Sequence, residues 1–191
     1  MSKGEETRRR MIAAAAEMLE RAGYAGAGIQ ELLAAGQAPR GSLYFHFPGG
    51  KEELAVAALE SSAAEMTALL REHLRTERAL VPALRRVLTL LADRSEAARF
   101  EKGCPVSAVV LSSGATPESV RQAASDALRG WQDLLVERLR AESLSLSDAR
   151  RRSGLLLSTL EGALLLARAH RSRAPLEELS KDVERLLALP D

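Results

Sequence analysis

A single cysteine, Cys104, rules out an internal disulfide and any cluster of thiolate metal ligands. Such cysteine use suits a reducing compartment, and a cytoplasmic protein is expected. Aromatic residues are scarce, with three Phe, two Tyr and one Trp in 191 residues, while 46% of the chain is apolar. An aliphatic core rich in Ala and Leu is therefore predicted, as in packed helices. No apolar run approaches the ~20 residues of a membrane span, and no basic-then-apolar leader pattern is evident, so a soluble protein without a membrane partner is expected. Charge of one sign is also lacking. The formal net charge is +1, and the first 51 residues hold seven basic against five acidic side chains, so any nucleic-acid footprint must be local.

Catalytic constellations are missing as well. The histidines, His46, His73 and His170, are far apart and no close set of His, Asp and Glu stands at metal-ligand spacing. There is no Gly-x-Ser-x-Gly and no phosphate loop, and Gly49-Gly50 reads as a turn because no strand or second glycine set accompanies it. Cys104 without an evident His partner reads as a small apolar group and not a nucleophile. No enzyme, catalytic residue, metal or cofactor is expected.

What is present is concentrated in one stretch, Ala38-Pro39-Arg40-Gly41-Ser42-Leu43-Tyr44-Phe45-His46-Phe47-Pro48-Gly49-Gly50-Lys51. Pro39 suits a helix start, where a missing N–H costs nothing. Leu43 and Phe47, four residues apart, share one face and can enter a small core. Arg40, Ser42, Tyr44 and His46 fall on the other sides, and small residues with hydrogen-bonding tips suit close approach to a nucleic-acid groove. Pro48-Gly49-Gly50 ends this helix, and Lys51 starts another with Glu52 and Glu53 in its first turn, where carboxylates are favoured. Upstream, residues 28–35 read as a short helix with Ile29, Leu32 and Leu33 on one face, and Gly36-Gln37 is the break. Helix, tight turn, helix is the plan whose second helix enters the major groove.

The run from Ile29 to Leu54 resembles the DNA-binding signature of TetR-family repressors, and Ala-Pro before Arg-Gly-Ser-Leu-Tyr with Phe-Pro-Gly-Gly-Lys-Glu is similar to the LmrA/YxaF-type branch. The resemblance implies an all-α fold of about nine helices. A helix-turn-helix DNA-binding domain at residues 1–50 would be joined by a long helix to a ligand-binding and dimerisation domain at residues 51–191. It also implies that Arg40, Gly41 and Ser42 reach base edges, with Gly41 letting the backbone or a neighbour approach thymine methyls. Tyr44, His46 and Lys51 are the phosphate candidates, and Gln30 could touch either. Two positions depart from the family pattern. Gly28 replaces the usual Thr or Ser cap, weaker by a few tenths of a kcal/mol, and Gln37 occupies the usual turn glycine, costing of order 1 kcal/mol if that backbone is left-handed.

Helical periodicity orders the rest. Thr7 to Ala22 is predicted as the first helix with Gly23 as its C-cap, preceded by Arg8 to Arg10 as a charged arm near its start. The headpiece core is expected to hold Ile12, Ala15, Leu19, Ile29, Leu32, Leu43 and Phe47. A helix without an internal break should run from Lys51 to about Arg75, then one from Leu80 to Ala92, with residues 93–103 loop-like. Cys104 to Ser112 should form a short helix, residues 113–115 a loop, Thr116 the cap of a helix to about Glu142, Ser147 the start of one to about Arg171, and Pro175 the start of the last. The segment from Leu155 to Leu166 is apolar on nearly every side, which predicts burial against both its own domain and a second copy.

For an inducer, apolar walls are available in Leu69, Leu88, Val106, Val109, Val110, Trp131 and Leu135, with Leu156 and Leu166 beyond them. Cys104, Ser158, Thr159 and Arg168 are the polar groups for orientation, and Trp131 is the candidate for stacking on a planar guest. The expected protein is a homodimeric repressor on double-stranded operator DNA, released by a small apolar or aromatic inducer. The alternative is a helical ligand-binding or enzymatic domain whose helix-turn-helix no longer binds DNA, favoured by Gly28, Gln37 and the small net charge.

Overall fold

The computed structural model describes residues 2–77, 79–112 and 116–188, and these contain helices without strands. The helices are α1 (Lys3–Gly26), α2 (Ile29–Ala35), α3 (Arg40–His46), α4 (Gly50–Thr76), α5 (Leu80–Ala97), α6 (Pro105–Leu111), α7 (Glu118–Ala141), α8 (Leu146–His170) and α9 (Ala174–Leu187). The all-α architecture expected from the sequence is thus observed. Two compact units divide the chain, one of Met1–Glu65 with Cys104–Ala127 and one of Met66–Gly103 with Leu128–Asp191. Helices α4 and α7 each give residues to both. The loop expected at residues 113–115 lies outside the described residues.

In the first unit, α1 starts four residues earlier than its apolar stripe suggests. Ser2 and Glu5 close a capping box, each side chain bonded to the other's backbone N–H. Arg8 to Arg10 are therefore inside the helix and form no separate arm. The buried face is Met11, Ala14, Ala15 and Leu19, so Met11 replaces Ile12 as the core residue of the first turns, and Leu33 joins Leu32 while Ile29 is 38% exposed. Ile29 is the first residue of a seven-residue helix, and its side chain falls at the rim of the small core.

Gly23 is the position on which α1 and α6 meet. Its φ of 65° and ψ of −173° lie in a region that only glycine occupies without strain. A methyl group there would also stand 2.7 Å from the Ala108 carbonyl oxygen and 2.7 Å from Ser112 Cβ. Glycine is required twice, by the backbone and by the approach of α6. Val106 and Val109 of α6 are fully buried, whereas Val110 is exposed.

In the second unit, α5, α8 and α9 pack together through Leu84, Val87, Leu88 and Leu91, Leu156, Ala163 and Ala167, and Leu176 and Val183. Helix α5 continues through Ala97, so the polar stretch after Ala92 is not a loop at its start. Asp93, Arg94 and Glu96 are exposed on the outer face of the helix, while Ser95 is buried. Asp93 and Glu96 receive Arg173 at 2.9 and 2.8 Å, and Ser95 folds its hydroxyl back onto the Leu91 carbonyl. The turn follows at Arg99 and Phe100, both with positive φ. Ser145, two residues before the expected start, caps α8 by accepting from the Asp148 N–H at 3.1 Å.

Helix α8 carries an exposed apolar stripe. Leu155, Leu165 and Leu166 are exposed, Ser158 is exposed beside them, and the Thr159 hydroxyl is turned onto the Leu155 carbonyl at 2.7 Å. Gly162 lies on the same side with open space around it.

Gly23→Ala should lower the unfolding free energy by at least about 2 kcal/mol, the backbone strain and the α6 contact adding together. Urea denaturation followed by circular dichroism measures it, and a change under about 0.5 kcal/mol would contradict the packing described.

Candidate nucleic-acid interface

Helix α3 is held by its inner face. Leu43 is 2% exposed and Phe47, at the C-cap, is fully buried. Burying two such side chains contributes roughly 1.5–3 kcal/mol each, enough to orient a seven-residue helix that could not form alone. Pro39 precedes it as the N-cap residue, and the Ser42 N–H bonds the Pro39 carbonyl at 2.9 Å. The Arg8 guanidinium lies 5.0 Å from the centre of the Phe47 ring, fastening α1 over the end of α3.

The α2–α3 turn has the geometry that makes Gln37 costly. Gln37 sits at φ 49°, in the left-handed region, while Gly36 is right-handed at φ −76°. Gly36 serves a different purpose. A methyl there would stand 3.2 Å from the Leu32 carbonyl oxygen and 3.3 Å from Met11 Cα, so its bareness lets α2 approach α1. Gly28 caps α2 with no side-chain hydrogen bond, as its lack of a hydroxyl dictates.

The outer face of α3 gathers most of the residues singled out for DNA. Arg40 and Gly41 are exposed, Ser42 is half-buried, and Tyr44 is 63% exposed with its ring over Gly50, so packing beside Phe47 does not account for it. His46 is half-buried, its ring 4.8 Å from that of Phe45 in an edge-on contact and its Cε1 close to Gly4 at the start of α1. Gln30 is exposed on the first turn of α2.

Lys51 is held more firmly than a solvated helix start would be. Its Nζ donates to the Tyr24 carbonyl at 2.7 Å and lies 4.3 Å from the centre of the Tyr24 ring. Burial pushes the Lys51 pKa below its ordinary value, and burial followed by the nearby Glu52 raises that of Tyr24. Glu52 in turn accepts from the Ser119 hydroxyl of α7. The first turn of α4 is thereby tied to the end of α1 and to α7. An ammonium has three donors, so the Tyr24 contact leaves Lys51 capacity for a further acceptor.

Sequence reasoning passed over Phe45. Its ring is 78% exposed, the most exposed of the large apolar side chains of the described residues, and it stands on the outer face of α3. The signal was available: it is the one apolar residue of the helix outside the Leu43–Phe47 row.

The residues proposed for a ligand are divided between the units. Cys104, Val106, Val109 and Val110 belong to the first, and Leu69, Leu88, Trp131, Leu135, Ser158, Thr159 and Arg168 to the second. Trp131 is buried and its indole N–H donates to the Thr67 hydroxyl at 3.2 Å. Leu88 and Leu135 are buried, Leu69 is half-buried, and Arg168 lies against Gly103. Among the described residues no helix is long and apolar enough to cross a membrane.

Residues 11–58 match the profile of bacterial regulatory proteins of the tetR family, and residues 81–182 match that of the LmrA/YxaF-like transcriptional regulator C-terminal domain. The HTH-type transcriptional regulator LmrA of Bacillus subtilis is 30% identical over 98% of this chain and 99% of its own. The chain belongs to the TetR family. It is a DNA-binding transcriptional regulator of the LmrA/YxaF-like kind, and its relatives are regulators and not enzymes. The crystal structure of a regulatory protein TetR from Rhodobacter sphaeroides superposes with a TM-score of 0.84 at 27% identity, covering 93% of this chain and 97% of that one. The fold is also that of the TetR family regulator CifR, solved in a cysteine-substituted form with 26-base-pair operator DNA (TM-score 0.81, 23% identity, 96% of each chain).

Proposed function

We propose that this TetR-family regulator is a homodimeric repressor that a small apolar or aromatic ligand releases from its operator. The observation that carries the reading is the two-faced α3, whose inner row is locked in the headpiece core while Arg40, Gly41 and Tyr44 face outward. Arg40, Gly41 and Ser42 take the base edges, where an Arg can pair bidentately with guanine. Tyr44, His46 and Lys51 take phosphate, and Gln30 reaches either. The headpiece at residues 1–50 supplies this function, and residues 51–191 supply dimerisation and ligand binding.

The exposed stripe of Leu155, Leu165 and Leu166 supports the dimer, because leaving these side chains in water forgoes the burial that a second copy offers. Ser158 and Thr159, expected from the sequence to orient a ligand, lie with Gly162 on this stripe, where their small size suits close helix approach instead. The ligand's contacts are then centred on Trp131 with Leu88, Leu135 and Leu69, Arg168 orienting polar atoms. Cys104, Val106, Val109 and Val110 are the further candidates for ligand contact, on and beside α6. A ligand that prefers the DNA-incompetent state about 100-fold supplies ~2.7 kcal/mol of coupling, enough to empty an operator.

Arg40→Ala should weaken specific binding by roughly 1–3 kcal/mol and relax preference at one base pair, whereas Lys51→Ala should weaken all sequences alike and reduce the salt slope by about one unit. Fluorescence anisotropy at several salt concentrations separates them, and equal loss on every sequence for Arg40→Ala would place Arg40 on phosphate.

Leu166→Arg should yield monomers that lose operator affinity, with the wild type dimeric at micromolar concentration through an interface above ~1,000 Å². A wild-type monomer in analytical ultracentrifugation would refute the dimer. Titration with planar phenolic compounds should change Trp131 emission and release DNA over the same concentration range. Release with unchanged emission, and a normal response from Trp131→Ala, would put the ligand elsewhere.

A further inference from the structure

On α3, Gly41 and Phe45 lie four residues apart, on the row opposite Leu43 and Phe47. They form the outermost ridge of the helix. A methyl group at Gly41 would meet nothing within 4 Å, so no packing within this chain requires a glycine there. One turn along the same row the Phe45 ring is 78% exposed, its edge-on contact with His46 limiting how it turns. A large apolar ring kept in water costs free energy unless something covers it. Arg40 and Tyr44 flank the ridge with groups suited to DNA, so the occupant is continuous with the interface already described. In the major groove the apolar feature presented by base pairs is the thymine C5-methyl group.

We propose that Phe45 is a specificity-determining residue whose ring, together with the bare backbone of Gly41, reads a thymine methyl in the major groove. The inference rests on the DNA-binding reading of α3 and goes beyond it by assigning the chemical group recognised. Removing the methyl leaves every hydrogen-bonding edge of the base pair intact, so the contact can be isolated.

The test begins with duplexes selected from a random-sequence library by the wild-type protein. Each thymine of the selected site is then replaced singly by deoxyuridine, and binding is measured by fluorescence anisotropy for wild type, Phe45→Ala and Phe45→Leu. At one thymine per half-site the wild type should lose about three- to ten-fold in affinity. Phe45→Ala should bind thymine and uracil there within about two-fold of each other, and Phe45→Leu should keep part of the preference. The exposed position should leave the urea midpoint of both variants at the wild-type value, so that lost discrimination is not lost folding. Wild-type indifference to uracil at every position, or full discrimination by Phe45→Ala, overturns the assignment while leaving DNA binding in place. Failure of the wild type to enrich any sequence overturns the DNA-binding reading itself, and the proposal with it.

Discussion

Everything the headpiece does depends on burying Leu43 and Phe47 in one small core with Met11, Leu19 and Leu32. A seven-residue helix is unstable alone, because nucleation costs more than so few hydrogen bonds return. Tertiary burial supplies the difference and fixes the rotation of α3 about its axis. Once that rotation is set, the outward row of Gly41 and Phe45 and its flanks, Arg40 and Tyr44, follow from helical spacing. Recognition is the other side of packing.

The supports of this core are unequal in quality. Gly23 and Gly36 allow backbones to close on one another, α6 onto α1 and α2 onto α1, and neither tolerates a methyl without movement. Gln37 works in the opposite sense, holding a left-handed turn with a side chain that resists it, at a cost of order 1 kcal/mol. The Lys51–Tyr24 contact and the Glu52–Ser119 hydrogen bond then bind the first turn of α4 to α1 and to α7. The compact unit that carries the headpiece is thus larger than residues 1–50, since the first part of α4, α6 and the start of α7 belong to it.

Much of this was legible in the residues. The α3 face, the left-handed strain at Gln37 and the exposed stripe of α8 follow from spacing, glycine placement and the excess of leucine. Four things were not. The long reach of α1 depended on a capping box at Ser2 and Glu5, well before the apolar stripe opens at Met11, where composition gives no hydrophobic signal. The polar end of α5 read as loop because its charges pair with Arg173, some eighty positions away, and periodicity sees only neighbours. The union of α6 with α1 depends on the absence of a side chain at Gly23, which a stripe of apolar residues cannot reveal. Phe45 was missed because an exposed aromatic looks like a core residue until its helix is rotated into place.

The central claim is that DNA contact is centred on the outward face of α3. Hydrogen–deuterium exchange of the full-length protein, with and without a duplex it selects from a random library, tests this directly. The account predicts added protection in residues 40–46, with smaller protection at the start of α1, and none along residues 155–166 of α8. Protection centred on α8, or none at residues 40–46 while DNA remains bound, would contradict it.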